Sequence, residues 1–360
     1  MKTIKFVLFV LGLNIIFLNT AETQTLKKAA VTTDKGIETN PDNLHKHYID
    51  QGLYYFEQNQ LGKAKYFFYK AKELNPEKAD SYINMAAIAM QRKNFEKAIM
   101  ILEKSLKLAD ETKQDVIFCN LGSCFQKLSK YDEAINYYDK AISLNPGLGD
   151  ALLNRGMLYL KNDKPDLALI DILKARVIFR ERGLKDIVRS CDEMLLSIIK
   201  IRVNDIGLAD KLFREGSLSF ESKRNEEAIA LLKVSILLNP NNQESYYRLG
   251  VVYTNSKKFN DAIDCFNETI KLNPKNVKAY INMGAILGDL KKYDEALAAL
   301  HKALNLEKDN PKIYYNIAMV YTGTMNNKKA AYYLKKAKIF AEQGKDQKLL
   351  QKIDEAYKAL

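Results

Sequence analysis

Tyr131-Asp-Glu-Ala-Ile-Asn-Tyr-Tyr-Asp-Lys-Ala-Ile-Ser-Leu-Asn-Pro146 returns in register as Phe259-Asn-Asp-Ala-Ile-Asp-Cys-Phe-Asn-Glu-Thr-Ile-Lys-Leu-Asn-Pro274. It returns again as Tyr293-Asp-Glu-Ala-Leu-Ala-Ala-Leu-His-Lys-Ala-Leu-Asn-Leu306. Frames that align all three begin at His45, Ala79, Asp115, Gly149, Ala209, Gln243, Val277 and Pro311, with steps of 34, 36, 34, 60, 34, 34 and 34 residues. A fixed period of this length marks a stacked array rather than independent globular domains.

Three places in the frame are nearly constant. The twentieth is always alanine: Ala64, Ala98, Ala134, Ala168, Ala228, Ala262, Ala296 and Ala330. The eighth is always small: Gly52, Ala86, Gly122, Gly156, Gly216, Gly250, Gly284 and Ala318. The fourth is aromatic or leucine, and Pro76, Pro146, Pro240 and Pro274 close four frames. The period predicts two antiparallel helices per frame. The small residues let the two backbones approach, and the bulky ones fill the space around the contact. Proline ends the second helix, because it lacks a donor and disfavours helical geometry in the residue before it. One pair cannot bury its apolar face alone, so the pairs must stack.

These residues resemble the tetratricopeptide repeat over about residues 44–344. The resemblance implies an all-α fold, an α-α superhelical solenoid of eight helix pairs. Departures are Ser219 at the eleventh place, Ser105, Ser235 and Thr269 at the twenty-seventh, and Asp110, Arg180 and Lys308 where proline is usual.

The 60-residue step leaves 26 residues beyond one frame. Within them, Leu184–Val203 carries Leu184, Ile187, Val188, Cys191, Met194, Leu195, Ile198 and Ile199 at helical spacing. Asp346–Leu360 does the same with Leu349, Ile353, Ala356, Tyr357 and Leu360. Two modules are therefore expected, 44–203 and 204–360, each four repeats plus one helix, with the last helix capping the array. Their junction is stiff if the extra helix packs on both modules and a hinge if it does not.

Residues 1–23 have the layout of a secretory signal: Lys2 and Lys5, the apolar run Phe6–Leu18, then Asn19, Thr20 and Ala21. Cleavage after Ala21 and after Thr23 both remain open. Thirteen apolar residues fall short of the ~20 that span a bilayer. Residues 24–43 read as a flexible lead. The expected setting is export to a bacterial periplasm or beyond, with peripheral association at the envelope and no integral span after cleavage.

The net charge of +12 divides as +1 over residues 1–43, +5 over 44–204 and +6 over 205–360. No segment concentrates it, and the basic clusters are pairs such as Lys257-Lys258 and Lys335-Lys336. A nucleic-acid partner, which calls for a basic stripe, is not expected. Cys119, Cys124, Cys191 and Cys265 form no CxxC and are expected as buried thiols. His45, His47 and His301 lack neighbouring ligands for a metal and are expected at the surface.

No P-loop, dinucleotide loop, GxSxG or HExxH motif occurs, and neither a cofactor nor an enzyme is expected. Acidic pairs such as Asp132-Glu133 and Asp294-Glu295 open second helices, where the helix dipole favours negative charge. The resemblance implies that first helices line a groove for extended peptides, with asparagine at the sixth place holding the peptide backbone. That place carries Asp50, Asn84, Asn120, Asn154, Arg214, Arg248, Asn282 and Asn316, and the fifth carries Tyr247 and Tyr315 in the sixth and eighth frames. Asparagine is also the repeat's usual residue there. Arg214 and Arg248 point to an acidic ligand. The pattern that clamps a chaperone's terminal carboxylate is absent from any three consecutive frames. The expected function is a non-enzymatic scaffold for partner proteins in an envelope or secretion complex. The alternative is an accessory subunit that positions substrate for a partner enzyme.

Overall fold

The computed structural model describes residues 40–202 and 204–360. The expected signal, and the expected lead up to residue 39, lie outside the described residues. Those that are described form eighteen helices and no strand. They fall into two compact units, divided between Ile201 and Arg202.

In the first unit the pairs are α1 (Pro41–Glu57) with α2 (Leu61–Leu74), α3 (Ala79–Gln91) with α4 (Phe95–Leu108), α5 (Glu111–Lys127) with α6 (Tyr131–Leu144), and α7 (Gly149–Lys161) with α8 (Pro165–Glu181). The unpaired α9 (Lys185–Lys200) follows. In the second unit they are α10 (Ile206–Glu221) with α11 (Asn225–Leu238), α12 (Gln243–Asn255) with α13 (Phe259–Leu272), α14 (Val277–Asp289) with α15 (Tyr293–Leu306), and α16 (Pro311–Gly323) with α17 (Asn327–Gln343). The unpaired α18 (Gln347–Lys358) ends the chain. Within each unit the described residues form the expected all-α stack of four helix pairs followed by one helix.

Local chemistry sets the helix limits. Asn40 accepts from the Asp42 N–H and Pro41 opens α1, so residues 41–43, expected within the flexible lead, are helical. Asp110, one of the departures from proline, is the N-cap of α5 and accepts from the Thr112 N–H at 3.1 Å. Arg180 does not stop α8, which runs 17 residues instead of the 14 usual for the second helices; α17 is equally long. Both long helices precede the unpaired ones.

The turn inside every frame repeats one geometry. Its fifteenth place has positive φ in all eight frames: Asn59, Lys93, Ser129, Asp163, Lys223, Lys257, Lys291 and Met325, between 54° and 61°. The next N–H reaches back across the turn, as in Gln60 N to Tyr55 O at 2.8 Å and Asn94 N to Ala89 O at 2.9 Å, closing the first helix with left-handed capping.

Packing within a pair follows the small residues. All eight twentieth-place alanines are fully buried. The eighth place faces the twenty-fourth, where Phe68, Leu102, Tyr138, Leu232, Phe266, Leu300 and Leu334 are fully buried too. Three frames add rings at the fourth, eleventh and twenty-third places. Tyr55 stacks on Phe67, Phe125 on Tyr137 and Tyr321 on Tyr333, with centroids 5.2–5.5 Å apart.

The hydroxyls that replace alanine at the twenty-seventh place are satisfied. Ser105 Oγ donates to Ala79 O at 3.2 Å, Ser235 Oγ to Ala209 O at 2.8 Å, and Thr269 Oγ1 to Cys265 O at 2.8 Å. His45 corrects an expectation: it is buried, with Nδ1 3.0 Å from Ala71 O, because the first place of the frame packs against the end of the second helix. His47 and His301 are half-buried. All four cysteines are buried free thiols. Helix α9 packs on α8 through Cys191, Met194 and Ile198, while Leu184 stays exposed; α18 packs on α17 through Leu349 and Ile353.

Candidate functional site

First helices of successive frames touch within each unit: α1 to α3, α3 to α5 and α5 to α7 in the first, α10 to α12, α12 to α14 and α14 to α16 in the second. The sixth-place residues therefore form a row on neighbouring helices, one row per unit.

In the first unit the row is deep. Asn84 and Asn120 are buried, and Asn154 and Asp50 are half-buried. Asn120 Oδ1 is sealed from solvent and has no hydrogen-bond partner among the described residues. The fifth-place residues beside it, Ile83, Cys119 and Leu153, are buried and apolar. The Cys119 thiol is raised well above its ordinary range by burial and then by Asp150 and Asp115, which disfavours the thiolate.

The second unit is more open and charged. Arg214 is exposed, while Arg248, Asn282 and Asn316 are half-buried. Asn282 Nδ2 donates to Tyr247 Oη at 3.4 Å, joining α14 to α12. Tyr247 also lies 5.9 Å from the Phe266 ring. Its phenol is raised by burial, eased by Asn282, and raised again by Glu244 one turn earlier. Tyr315 is raised by burial and by Glu355 of α18. Arg248 Nε is buried without a partner, and neither Arg214 nor Arg248 forms an ion pair among the described residues.

The polar contacts that sequence reasoning missed lie between helices in both units. Arg155 donates to both carboxylate oxygens of Asp171, at 2.7 and 2.8 Å, and to Asp139 at 2.6 Å, tying α7 to α8 and α6. The signal was Asp171 at the twenty-third place, where aromatic or aliphatic residues are common. Asp150, at the start of α7, is buried with Arg182 3.8 Å away; desolvation pushes it up to about 6 against the pull of that guanidinium. In the second unit Glu227 is buried, accepting from Ser219 Oγ at 2.6 Å and pairing with Arg224 at 2.9 Å.

Among the described residues no three metal-binding side chains gather, and no helix is long and apolar enough to cross a membrane.

Four segments match family models. Tetratricopeptide repeat models match residues 77–146 and 137–170, and a TPR repeat model matches 286–323. The model of the anaphase-promoting complex, cyclosome, subunit 3 matches 221–303. Over 99 residues the chain is 27% identical to Stress-induced-phosphoprotein 1 of Caenorhabditis elegans, covering 26% of this chain and 31% of that protein. Over 219 residues it is 24% identical to Protein O-mannosyl-transferase TMTC3 of Homo sapiens, covering 51% and 24%. The chain spans less than a third of the length of these curated relatives. The solved structure of the APC/C hetero-tetramer Cut9-Hcn1 aligns over 93% of this chain and 58% of its own, at 17% identity and a TM-score of 0.38.

Proposed function

We propose that this chain of tetratricopeptide-type repeats is an exported, non-enzymatic scaffold, which holds an extended segment or a helix of a partner protein along its first helices in an envelope or secretion complex. The observation that carries the reading is an unpaired cation on the inner row of the second unit: Arg248 is half-buried and meets no acid among the described residues. A neutral amide both donates and accepts, which suits a peptide backbone, and a guanidinium suits a carboxylate. Rigid helix pairs present these groups with little ordering cost on the scaffold's side. Support for export is the arrangement of Lys2, Lys5, Phe6–Leu18 and Ala21.

Photocrosslinking tests the reading. A photoreactive phenylalanine analogue is placed at Asn154 or Asn316 on the inner rows, and at Asn136 on the exposed side of α6 as a control. Irradiated envelopes should yield one discrete adduct from the inner positions and none from Asn136. Equal adducts from all three positions, or none from the inner ones, would sink the groove. N-terminal sequencing of the recovered chain tests export: Glu22 or Gln24 as first residue supports it, and Met1 opposes it.

A further inference from the structure

Counted by segment, the basic excess is even; counted by helix, it is not. Among the second helices of the frames, α2 carries Lys63, Lys65, Lys70 and Lys72 against Glu73 alone, a net +3. Helix α17 carries five Lys against Glu342 alone, a net +4. The other six lie between −2 and +1: α4 has three Lys against two Glu, while α6 and α13 each have one Lys against three acids. Each unit thus has one strongly basic second helix, in the first and the eighth frame.

The same two helices display tyrosine. At the twenty-second place Tyr66 is 58% exposed and Tyr332 57%, and Tyr69 is 47% exposed. In the other frames that place holds Met100, Asn136, Ile170, Ala230, Asp264 and Ala298, none of them aromatic. Ala64, Phe68 and Ala71 turn inward on α2, leaving Lys65, Tyr66 and Tyr69 outward. Ala330, Leu334 and Ala337 turn inward on α17, leaving Lys328, Tyr332 and Lys335 outward. Lys65, Lys328 and Lys335 meet no carboxylate among the described residues. Lys70 reaches Tyr66 at 5.9 Å and Lys72 reaches Tyr69 at 5.3 Å, so cations and rings share one surface.

We propose that the outward face of α2 in the first unit and that of α17 in the second are each, by themselves, docking faces for an anionic phospholipid bilayer. Tyrosine joins an apolar ring to a wet hydroxyl and settles at headgroup depth. Lysine lays its stem along the apolar layer and keeps its ammonium among phosphates. A bilayer and a nucleic acid are both anionic, and what favours the bilayer is the short extent of each patch. Helix α6 in the first unit and α11, α13 and α15 in the second are net acidic, so among the described residues no basic track runs along a unit for a strand to follow, whereas a lipid surface needs only a local patch. This surface lies on second helices, away from the inner rows, and does not depend on peptide holding.

The test uses the full chain, expressed from Met1 and taken as the host processes it. Flotation is measured with vesicles of phosphatidylcholine alone and of phosphatidylcholine with about a third phosphatidylglycerol, where the added anionic charge is the term under test. Binding should rise with the anionic lipid and fall with salt. The variants K63Q/K65Q/K70Q and K328Q/K335Q/K336Q, combined, should weaken it about tenfold or more. Y66S/Y69S/Y332S should weaken it at high salt, where charge is screened. An equal charge loss elsewhere, K97Q/K107Q/K140Q with K271Q/K275Q/K302Q, should leave it within about twofold, since only charges near the surface count. Circular dichroism confirms that each variant is helical. The proposal is overturned if anionic vesicles bind no better than neutral ones, or if both charge sets act alike. It is also overturned if a single-stranded oligonucleotide binds more tightly than the vesicles and through the same lysines.

Discussion

Gly52 and Phe68 are shaped to each other: a Cβ on Gly52 would lie 2.2 Å from Phe68 Cε1. The same fit recurs between Gly122 and Tyr138 and between Gly250 and Phe266, each at 2.8 Å. Every frame with a ring at the twenty-fourth place has glycine at the eighth. Alanine stands at the eighth only in Ala86 and Ala318, opposite Leu102 and Leu334.

Gly52→Ala is therefore expected to destabilise the chain by roughly 1–3 kcal/mol, the usual range for overpacking a filled core. Phe68→Leu in the same chain should recover part of that loss by recreating the Ala86–Leu102 arrangement. Urea unfolding of the two single variants and the double variant measures the coupling. Additive costs would show that ring and glycine are not matched.

Met325 has φ 56° and is 90% exposed, so its side chain contributes little beyond occupying a left-handed position. Met325→Gly should stabilise the chain by up to about 1 kcal/mol, since glycine enters that region without the Cβ penalty. Met325→Val should cost a comparable amount, because a branched Cβ is worse there. Thermal unfolding decides, and a glycine variant no more stable than the parent would refute the account.

The frame was legible because it is written in size: a small eighth place, an alanine twentieth and a proline after Leu-Asn can be counted without coordinates. The turn was not legible, because Asn59, Lys93, Ser129 and Met325 share a φ and no chemistry. Left-handed geometry there is imposed by closing two helices at a fixed distance, not by a residue that prefers it. His45 misled for a related reason. Its burial comes from Ala71, 26 residues away at the end of the paired helix, and nothing in the spacing of His45 and His47 carries that. The sixth-place row was legible as positions, but its depth was not. Asn84 and Asn120 differ from Asn282 in burial because of the side chains around them, although all four of Asn84, Asn120, Asn282 and Asn316 occupy one place in the frame.

Asp150 predicts a pH effect of definite sign. Burial pushes its folded-state pKa up from 3.8 to about 6, so the folded chain holds this proton more tightly than the unfolded chain does. The contribution of Asp150 to stability is full below the unfolded value and is lost as pH rises from about 4 to about 6. Asp150→Asn removes the charge that must be buried at neutral pH. It should raise stability there by on the order of 1–3 kcal/mol, with little change at pH about 4. Denaturant unfolding of both proteins across this range gives the difference curve. A variant that loses stability at neutral pH would mean that the Arg182 attraction outweighs desolvation.

Asn120 separates folding from binding. Its Oδ1 is buried with no donor, and an unmet buried acceptor costs the folded state rather than supporting it. Asn120→Ala should therefore change stability by less than about 1 kcal/mol or raise it slightly, the lost van der Waals contacts offsetting the removal of an unpaired dipole. Asn→Ala at a place that held the fold together would cost more. Sealed from solvent, that oxygen is out of an incoming peptide's reach, so the same substitution should leave capture of the crosslinked partner within about twofold, whereas losing one hydrogen bond to a peptide would cost about fivefold to tenfold. Melting temperature and crosslinking yield, read on the same preparations, give the two answers. An unchanged yield assigns Asn120 to the repeat's own pattern and leaves peptide holding to the second unit, where Arg248 and the Tyr247–Asn282 pair are available, while a fall of about fivefold or more from a stably folded variant would refute this account.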